Sequence, residues 1–208
     1  MSHSKSIKLS KSLAYVLRHG AETEGLRMDD GGYIDVVAVL RLASFRRCGY
    51  TESDVMNVVE TSDKQRFALR HHPETGRLQI RANQGHSIEI KDDGTLLTPI
   101  SLESCPDVAI HGTYFKNWQT IQHAGLSKRG RNHIHFAAGF PGDDGVISGM
   151  RRNCEVAIVI DCKSALMDGL KFFRSENNVI LCPGDSDGTL SPKYFKEVWQ
   201  CRPRKRLL

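Results

Sequence analysis

Phe67-Ala-Leu-Arg70 and Leu78-Gln-Ile-Arg81, with Pro73-Glu-Thr-Gly76 between them, decide the fold of the first half of this chain. Both runs alternate apolar and polar residues, the period of a half-buried strand, and the segment between them has turn residues at a suitable length. They predict a β-hairpin. Three helical segments precede it. In the first, Leu9, Leu13, Val16 and Leu17 share one face, with Ser6 or Ser10 near the start, and glycines 20, 25, 31 and 32 then break the pattern. Tyr33-Ile-Asp-Val-Val-Ala-Val-Leu40, followed by Leu42 and Phe45, predicts a second helix capped by Asp35. Thr51 to Glu60 predicts a third, with Thr51 as cap, Asp54 closing a shortened capping box, and Val55, Val58 and Val59 as the buried face. Three helices and then a hairpin is the order of a winged-helix module, a fold that does not by itself fix a function.

Working outward, Lys91-Asp-Asp-Gly-Thr-Leu-Leu-Thr-Pro99 is a polar connector and the expected boundary between two lobes, 1–92 and 93–208. Beyond it strands and short helices mix. Val108 to Thr113, His133 to Phe136, Phe172-Phe173 and Val179-Ile-Leu181 predict strands, and Trp118 to Ala124 predicts a helix closed by Gly125. Val156-Ala-Ile-Val-Ile160 is the most hydrophobic run and is expected at the centre of a sheet. Phe140 to Val146 reads as a loop. The fold class is therefore α+β in two lobes.

The 208 residues are enough for real cores, and the net charge of +5 leans toward a polyanionic partner without requiring one. The six cysteines include no CxxC pair, which argues against a zinc knuckle or a redox motif. No segment resembles a signal peptide or a membrane span, so a reduced, intracellular protein, cytoplasmic or nuclear or both, is expected. Met1 to Lys5 reads as a polar tail, and Arg202-Pro-Arg-Lys-Arg206 as a basic tail that is either a solvated end or a weak nuclear address.

Four segments are rich in phosphate-binding groups: Arg18-His19, Asp63-Lys-Gln-Arg66, Arg81-Ala-Asn-Gln-Gly-His86-Ser, and Ser148-Gly-Met-Arg151-Arg152. Arginine's planar fork pairs with phosphate oxygens, and a neighbouring histidine can donate a hydrogen bond or a proton to the same group. Taken singly, each segment also has a structural explanation: a cation at a helix C-terminus, a surface ion pair or a solvated loop. Together they point to phosphate. His111-Gly-Thr113 places a histidine at a strand end beside a glycine, where a ligand can approach the backbone and a ribose hydroxyl can be bonded. His133 and His135 fall on one strand face as a metal pair, core histidines or ligand-facing groups, and no further metal ligand stands near them.

Ser10 to Gly20, Gly31-Gly-Tyr-Ile-Asp35, Asp63-Lys-Gln-Arg-Phe67, Ile80-Arg-Ala-Asn-Gln-Gly-His-Ser87, His111-Gly-Thr113, His133-Ile-His-Phe136 and Ser175-Glu-Asn-Asn-Val179 together resemble the NAD-dependent tRNA 2′-phosphotransferase family, in the same order, from about residue 6 to about residue 198. The resemblance implies an N-terminal winged-helix RNA-binding lobe and a C-terminal ADP-ribosyltransferase-like lobe that binds NAD. It implies a catalytic set of Arg18, His19, Arg66 and Arg151, the last chosen over its neighbour Arg152 because it stands two residues after Gly149. His111, Gly112, Thr113, His135 and Ser175 are the implied NAD contacts. Lys64, Gln65, Asn83, Gln84, His86 and Arg152 are the implied RNA contacts, with no metal.

The implied chemistry has two steps. The RNA 2′-phosphate attacks the anomeric carbon of the nicotinamide ribose and expels nicotinamide. The ribose 2″-hydroxyl then attacks the phosphate, leaving RNA with a free 2′-hydroxyl and releasing ADP-ribose 1″,2″-cyclic phosphate. A phosphate dianion needs no base; it needs positioning, which arginines supply. Consistent with this, Asn178-Val179 stands where transferase relatives place a glutamate. The departures at Phe136, Asn178 and Val37 are conservative or lie away from the implied site. The implied partner is RNA bearing a 2′-phosphate, tRNA above all, acted on by a monomer away from membranes. Two other readings remain: ADP-ribosylation of terminal phosphates of RNA or DNA, and a non-enzymatic RNA or ADP-ribose binder.

Overall fold

The computed structural model describes residues 2–91, 94–140, 143, 146, 148–151 and 153–208. Its contacts divide the α+β chain into two compact units, Met1–Leu96 and Leu97–Leu208. The boundary expected after residue 92 falls on Asp92 and Asp93, outside the described residues.

In the first unit, α1 (His3–Tyr15) is capped by Ser2, whose hydroxyl accepts from the Lys5 N–H at 3.3 Å. The cap is thus neither Ser6 nor Ser10, and the expected polar tail is already helical from His3. Leu9 and Leu13 are fully buried, as their spacing requires. The helix does not stop at Gly20: Val16–Gly20 forms a π-helical turn, and Ala21 is still right-handed helical. The expected second helix is broken into β1 (Ile34–Asp35), α2 (Val36–Leu40) and α3 (Ala43–Arg46). The break comes at Leu42, whose extended ψ of 140° lets Phe45 turn into the core. Asp35 makes no side-chain cap; its carboxylate instead accepts from Gln79 at 2.9 Å and from Arg77 at 3.3 Å.

The third helix, α4 (Glu52–Glu60), forms as its cap predicts. Thr51 Oγ1 accepts from the Asp54 N–H, and Asp54 accepts from the Thr51 N–H. Val55 and Val58 are buried, while Val59 is only half-buried. The hairpin is β2 (Phe67–His71) and β3 (Leu78–Ala82), paired from Phe67↔Ala82 to His71↔Leu78, with β1 added on the other side of β3. Leu9, Leu17, Phe45, Val55 and Ile80 close one core, each such side chain stabilising by about 1.5–3 kcal/mol.

The second unit opens with β4 (Leu97–Ile100), so the end of the expected connector is an edge strand. Pro99 is tolerated there because an edge leaves some N–H positions unused. The remaining elements are β5 (Ile110–Thr113), α5 (Phe115–Ala124), β6 (Leu126–Ser127), β7 (Ile134–Phe136), β8 (Val156–Ile160), α6 (Cys162–Met167), β9 (Phe172–Ser175), β10 (Ile180–Cys182), β11 (Thr189–Leu190), β12 (Phe195–Gln200) and β13 (Lys205–Arg206). They form sheets ordered β4-β9-β10-β7 and β13-β12-β8-β5, plus the small pair β11-β6. Strand β8 lies between β5 and β12 with all five residues buried, which is why its run is unbroken by polar residues. Gly125 ends α5 at φ +84°, where a Cβ would meet the Leu190 carbonyl oxygen at 2.4 Å. The expected basic tail is folded, because β13 pairs with the end of β12.

Candidate active site

In the first unit one irregular loop gathers the expected cations. Asn83 leaves β3 with its N–H donated to the Arg66 carbonyl at 2.9 Å. Four residues on, the Ser87 N–H donates to the Arg18 carbonyl at 3.0 Å, and Ser87 Oγ shares a 2.8 Å hydrogen bond with His19 Nδ1. Gly85, at φ +90°, lies against the Arg18 side chain: a Cβ there would sit 3.4 Å from Nε. Arg18, His19 and Arg66 thus hang from the single stretch Asn83–Ser87. The π-helical turn rotates Arg18 and His19 relative to a regular helix, a device that recurs at functional sites. Arg18 and Arg66 are half-buried and His19 is exposed, so charge is held at the surface without full desolvation.

Several neighbours support these groups. Asn83 Nδ2 donates to the Gln65 carbonyl at 2.8 Å, and Gln65 takes a left-handed φ of 43° that throws Arg66 onto the loop. Asn83, Gln84 and His86 are all more than nine-tenths buried, an unusual density of polar groups for a loop. Lys64 is half-buried and Gln65 exposed. Arg81 departs from the expected phosphate segment. It is buried at 5% exposure, donates to the Gly31 and Thr95 carbonyls and to Thr95 Oγ1, and stacks on Tyr33 at 4.7 Å. It braces the unit.

In the second unit, β5 places His111, Gly112 and Thr113 beside β8. His111 Nδ1–H donates to the His135 carbonyl at 2.9 Å, which leaves Nε2 as the acceptor of a neutral ring. Burial holds this imidazole below its usual range, opposed by that hydrogen bond. Gly112 packs closely against its neighbours. A Cβ would meet Met150 Cβ at 3.0 Å and Cys154 Sγ at 3.1 Å, so protein packing occupies that space. Thr113 is buried, its carbonyl accepting from the Glu155 N–H at 2.9 Å. His135 is buried in the middle of β7. Ser175 closes the β9–β10 turn: Oγ lies 2.8 Å from Asn177 Oδ1 and accepts from the Val179 N–H at 3.1 Å. Asn178 adopts a left-handed conformation at φ 59°, and Val179 is fully buried.

Arg151 is exposed. It lies 5.9 Å from the Tyr114 ring, with Nη1 3.4 Å from the Tyr114 hydroxyl, which donates onward to Asn153 at 3.2 Å. Tyr114 is the residue the sequence reading missed, although it directly follows the His-Gly-Thr string. Gly149 fixes the loop before Arg151 at φ +98°, where a Cβ would fall 2.8 Å from Ala137 Cα. Arg152, the other candidate, lies outside the described residues. Among the described residues no cluster of His, Cys, Asp or Glu is arranged to hold a metal.

A model of the RNA 2′-phosphotransferase, Tpt1/KptA family matches residues 4–184. The chain is 50% identical over 206 residues to the tRNA 2′-phosphotransferase 1 of Homo sapiens, covering 98% of this chain and 79% of that protein. It is 48% identical over 200 residues to the tRNA 2′-phosphotransferase 1 of Danio rerio, covering 96% and 88%. The tRNA 2′-phosphotransferase of Saccharomyces cerevisiae is 39% identical over 181 residues, covering 85% and 78%. The matches to the Homo sapiens and Danio rerio proteins take in nearly the whole chain, and it belongs to the RNA 2′-phosphotransferase family.

Proposed function

We propose that this chain removes the internal 2′-phosphate of spliced tRNA by transferring it to NAD, giving 2′-hydroxyl RNA, ADP-ribose 1″,2″-cyclic phosphate and nicotinamide, through RNA that carries ADP-ribose on its 2′-phosphate. The observation that carries the reading is the Asn83–Ser87 loop, which gathers Arg18, His19 and Arg66. Three hydrogen-bonding side chains there, at least two of them cationic, suit a phosphate dianion rather than a neutral ligand. In this reading Met1–Leu96 is a winged-helix RNA-binding lobe and Leu97–Leu208 an ADP-ribosyltransferase-like lobe.

NAD is a substrate here; it supplies an electrophilic ribose carbon and a leaving group. The donor set fits a ribose, because His111 with its Nδ1–H fixed offers Nε2 as an acceptor to a hydroxyl. Gly112, Thr113, His135 and Ser175 shape the rest of that binding site through backbone and packing. Arg18 and Arg66 hold the acceptor phosphate, and Arg151, steadied by Tyr114, supplies the fourth polar group and offsets charge as the phosphate is transferred. His19, tied to Ser87, protonates the departing RNA 2′-oxygen. Lys64, Gln65, Gln84, His86 and Arg152 contact RNA, and Asn83 holds the loop in shape. The protein works as a monomer inside the cell, in cytoplasm, nucleus or both; no described helix is long and apolar enough to cross a membrane.

The test is turnover. Purified protein, NAD and an oligonucleotide with one internal 2′-phosphate are expected to yield 2′-hydroxyl RNA and the cyclic product. Absence of turnover, under conditions where a characterised relative works, contradicts the proposal. The second reading shares the site: a terminal phosphate lacks the same leaving group, so ADP-ribose would stay attached, and mass analysis of the nucleic acid separates the two outcomes.

A further inference from the structure

We infer that the folded basic turn at the end of β12 is a second RNA site, one that seats an unpaired nucleotide of the substrate strand apart from the phosphate being processed. This rests on RNA being the substrate, as proposed above, and not on the NAD chemistry.

The site starts from the run Arg202-Pro-Arg-Lys-Arg206, which is not a free tail. Trp199 pairs with Arg206 and Gln200 with Lys205, and the Leu207 N–H donates to the Val198 carbonyl at 2.7 Å. Four cations are thereby fixed on one edge of the sheet. Beside them lies a shallow solvent-open cleft of about 90 Å³, lined by Phe140, Cys154, Trp199, Cys201, Arg202 and Arg204. Arg204 is exposed, and its guanidinium carbon stands 4.4 Å from the Phe140 ring centroid and 5.0 Å from that of Trp199.

The chemistry of that arrangement selects the ligand. Arg206 is engaged with Glu197 at 3.9 Å, and Glu197 also accepts from Trp199 Nε1 at 2.8 Å. Arg204, by contrast, makes its contacts with rings, and among the described residues it pairs with no carboxylate. A guanidinium laid on aromatic faces keeps its in-plane donors for phosphate oxygens and offers its outer face to a planar base. Two aromatic rings, a stacked arginine and adjacent cations are the components of a single-strand binding platform, which is tolerant of sequence because every base has a π-face. An acidic peptide would use the charge and leave the planar tier unused. The cleft is also tied to the loop that bears Arg151: the Cys154 N–H donates to the Arg151 carbonyl at 3.2 Å, and Cys154 Sγ lies 3.9 Å from Met150 Sδ.

The experiment measures anisotropy of a labelled 12-nucleotide single-stranded RNA with no 2′-phosphate and no NAD, so a failure of the proposed reaction leaves it unaffected. The intact chain is compared with an Arg202→Glu/Arg204→Glu double variant and with Arg204→Lys, all checked for an unchanged circular dichroism spectrum. The double variant is expected to bind at least tenfold more weakly. Its slope of log affinity against log salt should fall by about 1.4, because each phosphate neutralised on a single strand contributes about 0.7 and two cations are removed. Arg204→Lys keeps the charge and loses the planar tier, and should bind at least threefold more weakly. Unchanged affinity and slope in the double variant overturn the site, and unchanged affinity in Arg204→Lys overturns the stacking role. A polyglutamate peptide that competes as well as RNA of equal charge overturns the assignment to a nucleotide.

Discussion

The Asn83–Ser87 loop of the first unit and the His111–Thr113 strand of the second both carry groups assigned to ligand binding, and they hold them in opposite ways. In the loop the two arginines are anchored by main chain: the Asn83 and Ser87 N–H groups hold the carbonyls of Arg66 and Arg18. In each case a carbonyl oxygen is a point of attachment to the loop. In the strand the side chain is itself the anchor, His111 to the His135 carbonyl, and the space beside Gly112 is filled by Met150 and Cys154. The difference separates chemistry from stability. A cation hung by its carbonyl can lose its side chain and leave the fold intact, whereas a strand and loop fixed by packing cannot accept even one methyl group cheaply.

The largest expected effect tests the first half of that contrast. Arg66→Ala should lower turnover by about 10²–10³-fold, the loss of roughly 2.7–4 kcal/mol of transition-state stabilisation, with stability within about 0.5 kcal/mol of the parent. Steady-state kinetics and denaturant melts measure both, and a melt that falls as far as the activity would break the comparison. Next comes Gly149→Ala in the second unit. With φ +98° and 2.8 Å to Ala137 Cα, the added methyl should cost about 1–3 kcal/mol, seen as a lower denaturant midpoint with unchanged slope. Midpoints that agree within error would show that the loop before Arg151 yields freely.

Two smaller effects sharpen the contrast. Asn83→Ala removes the bond to the Gln65 carbonyl and should destabilise by about 1 kcal/mol. It should raise KM for the phosphorylated RNA and leave KM for NAD alone; a rise in both would mean that the loop does not serve one substrate. For His111 the sign follows from its lowered folded-state pKa. The unfolded chain takes up a proton near pH 6.5, while the folded chain resists until lower pH. Stability is therefore insensitive to this group above about pH 6.5 and is lost as pH falls below it. KM for NAD should rise only at still lower pH, where the folded chain itself takes up the proton and Nε2 turns from acceptor to donor. Melts of the parent and of His111→Gln across pH 5–8 check this: the parent should lose more stability on the acid side, and parallel curves would remove His111 as the cause.

Local chemistry that is complete within a few residues was legible in the sequence. The Thr51–Asp54 capping box, the hairpin around Pro73–Gly76 and the Gly125 helix stop each declare themselves through residue type and spacing. What was illegible depends on partners far along the chain. Nothing in Val16-Leu-Arg-His-Gly20 announces a π-helical turn; its shape is fixed by Ser87 and Ile88, which donate to the Arg18 carbonyl. Arg81 looks like a phosphate ligand until Tyr33, Gly31 and Thr95 enclose it. Arg202–Arg206 looks like a tail until β13 turns back on Trp199. Four cation-rich segments were visible in the sequence, while the loop that joins Arg18, His19 and Arg66 became visible only in the fold.

The central claim, that the Asn83–Ser87 loop gathers Arg18, His19 and Arg66 to hold the acceptor phosphate, is tested most directly by equilibrium binding without NAD. Two oligonucleotides of one sequence, with and without a single internal 2′-phosphate, are titrated against the parent chain and an Arg18→Ala/Arg66→Ala variant. The predicted result is a preference of at least tenfold for the phosphorylated strand in the parent that collapses to near unity in the variant, with the unphosphorylated strand bound equally by both. A preference that survives in the variant would contradict the account.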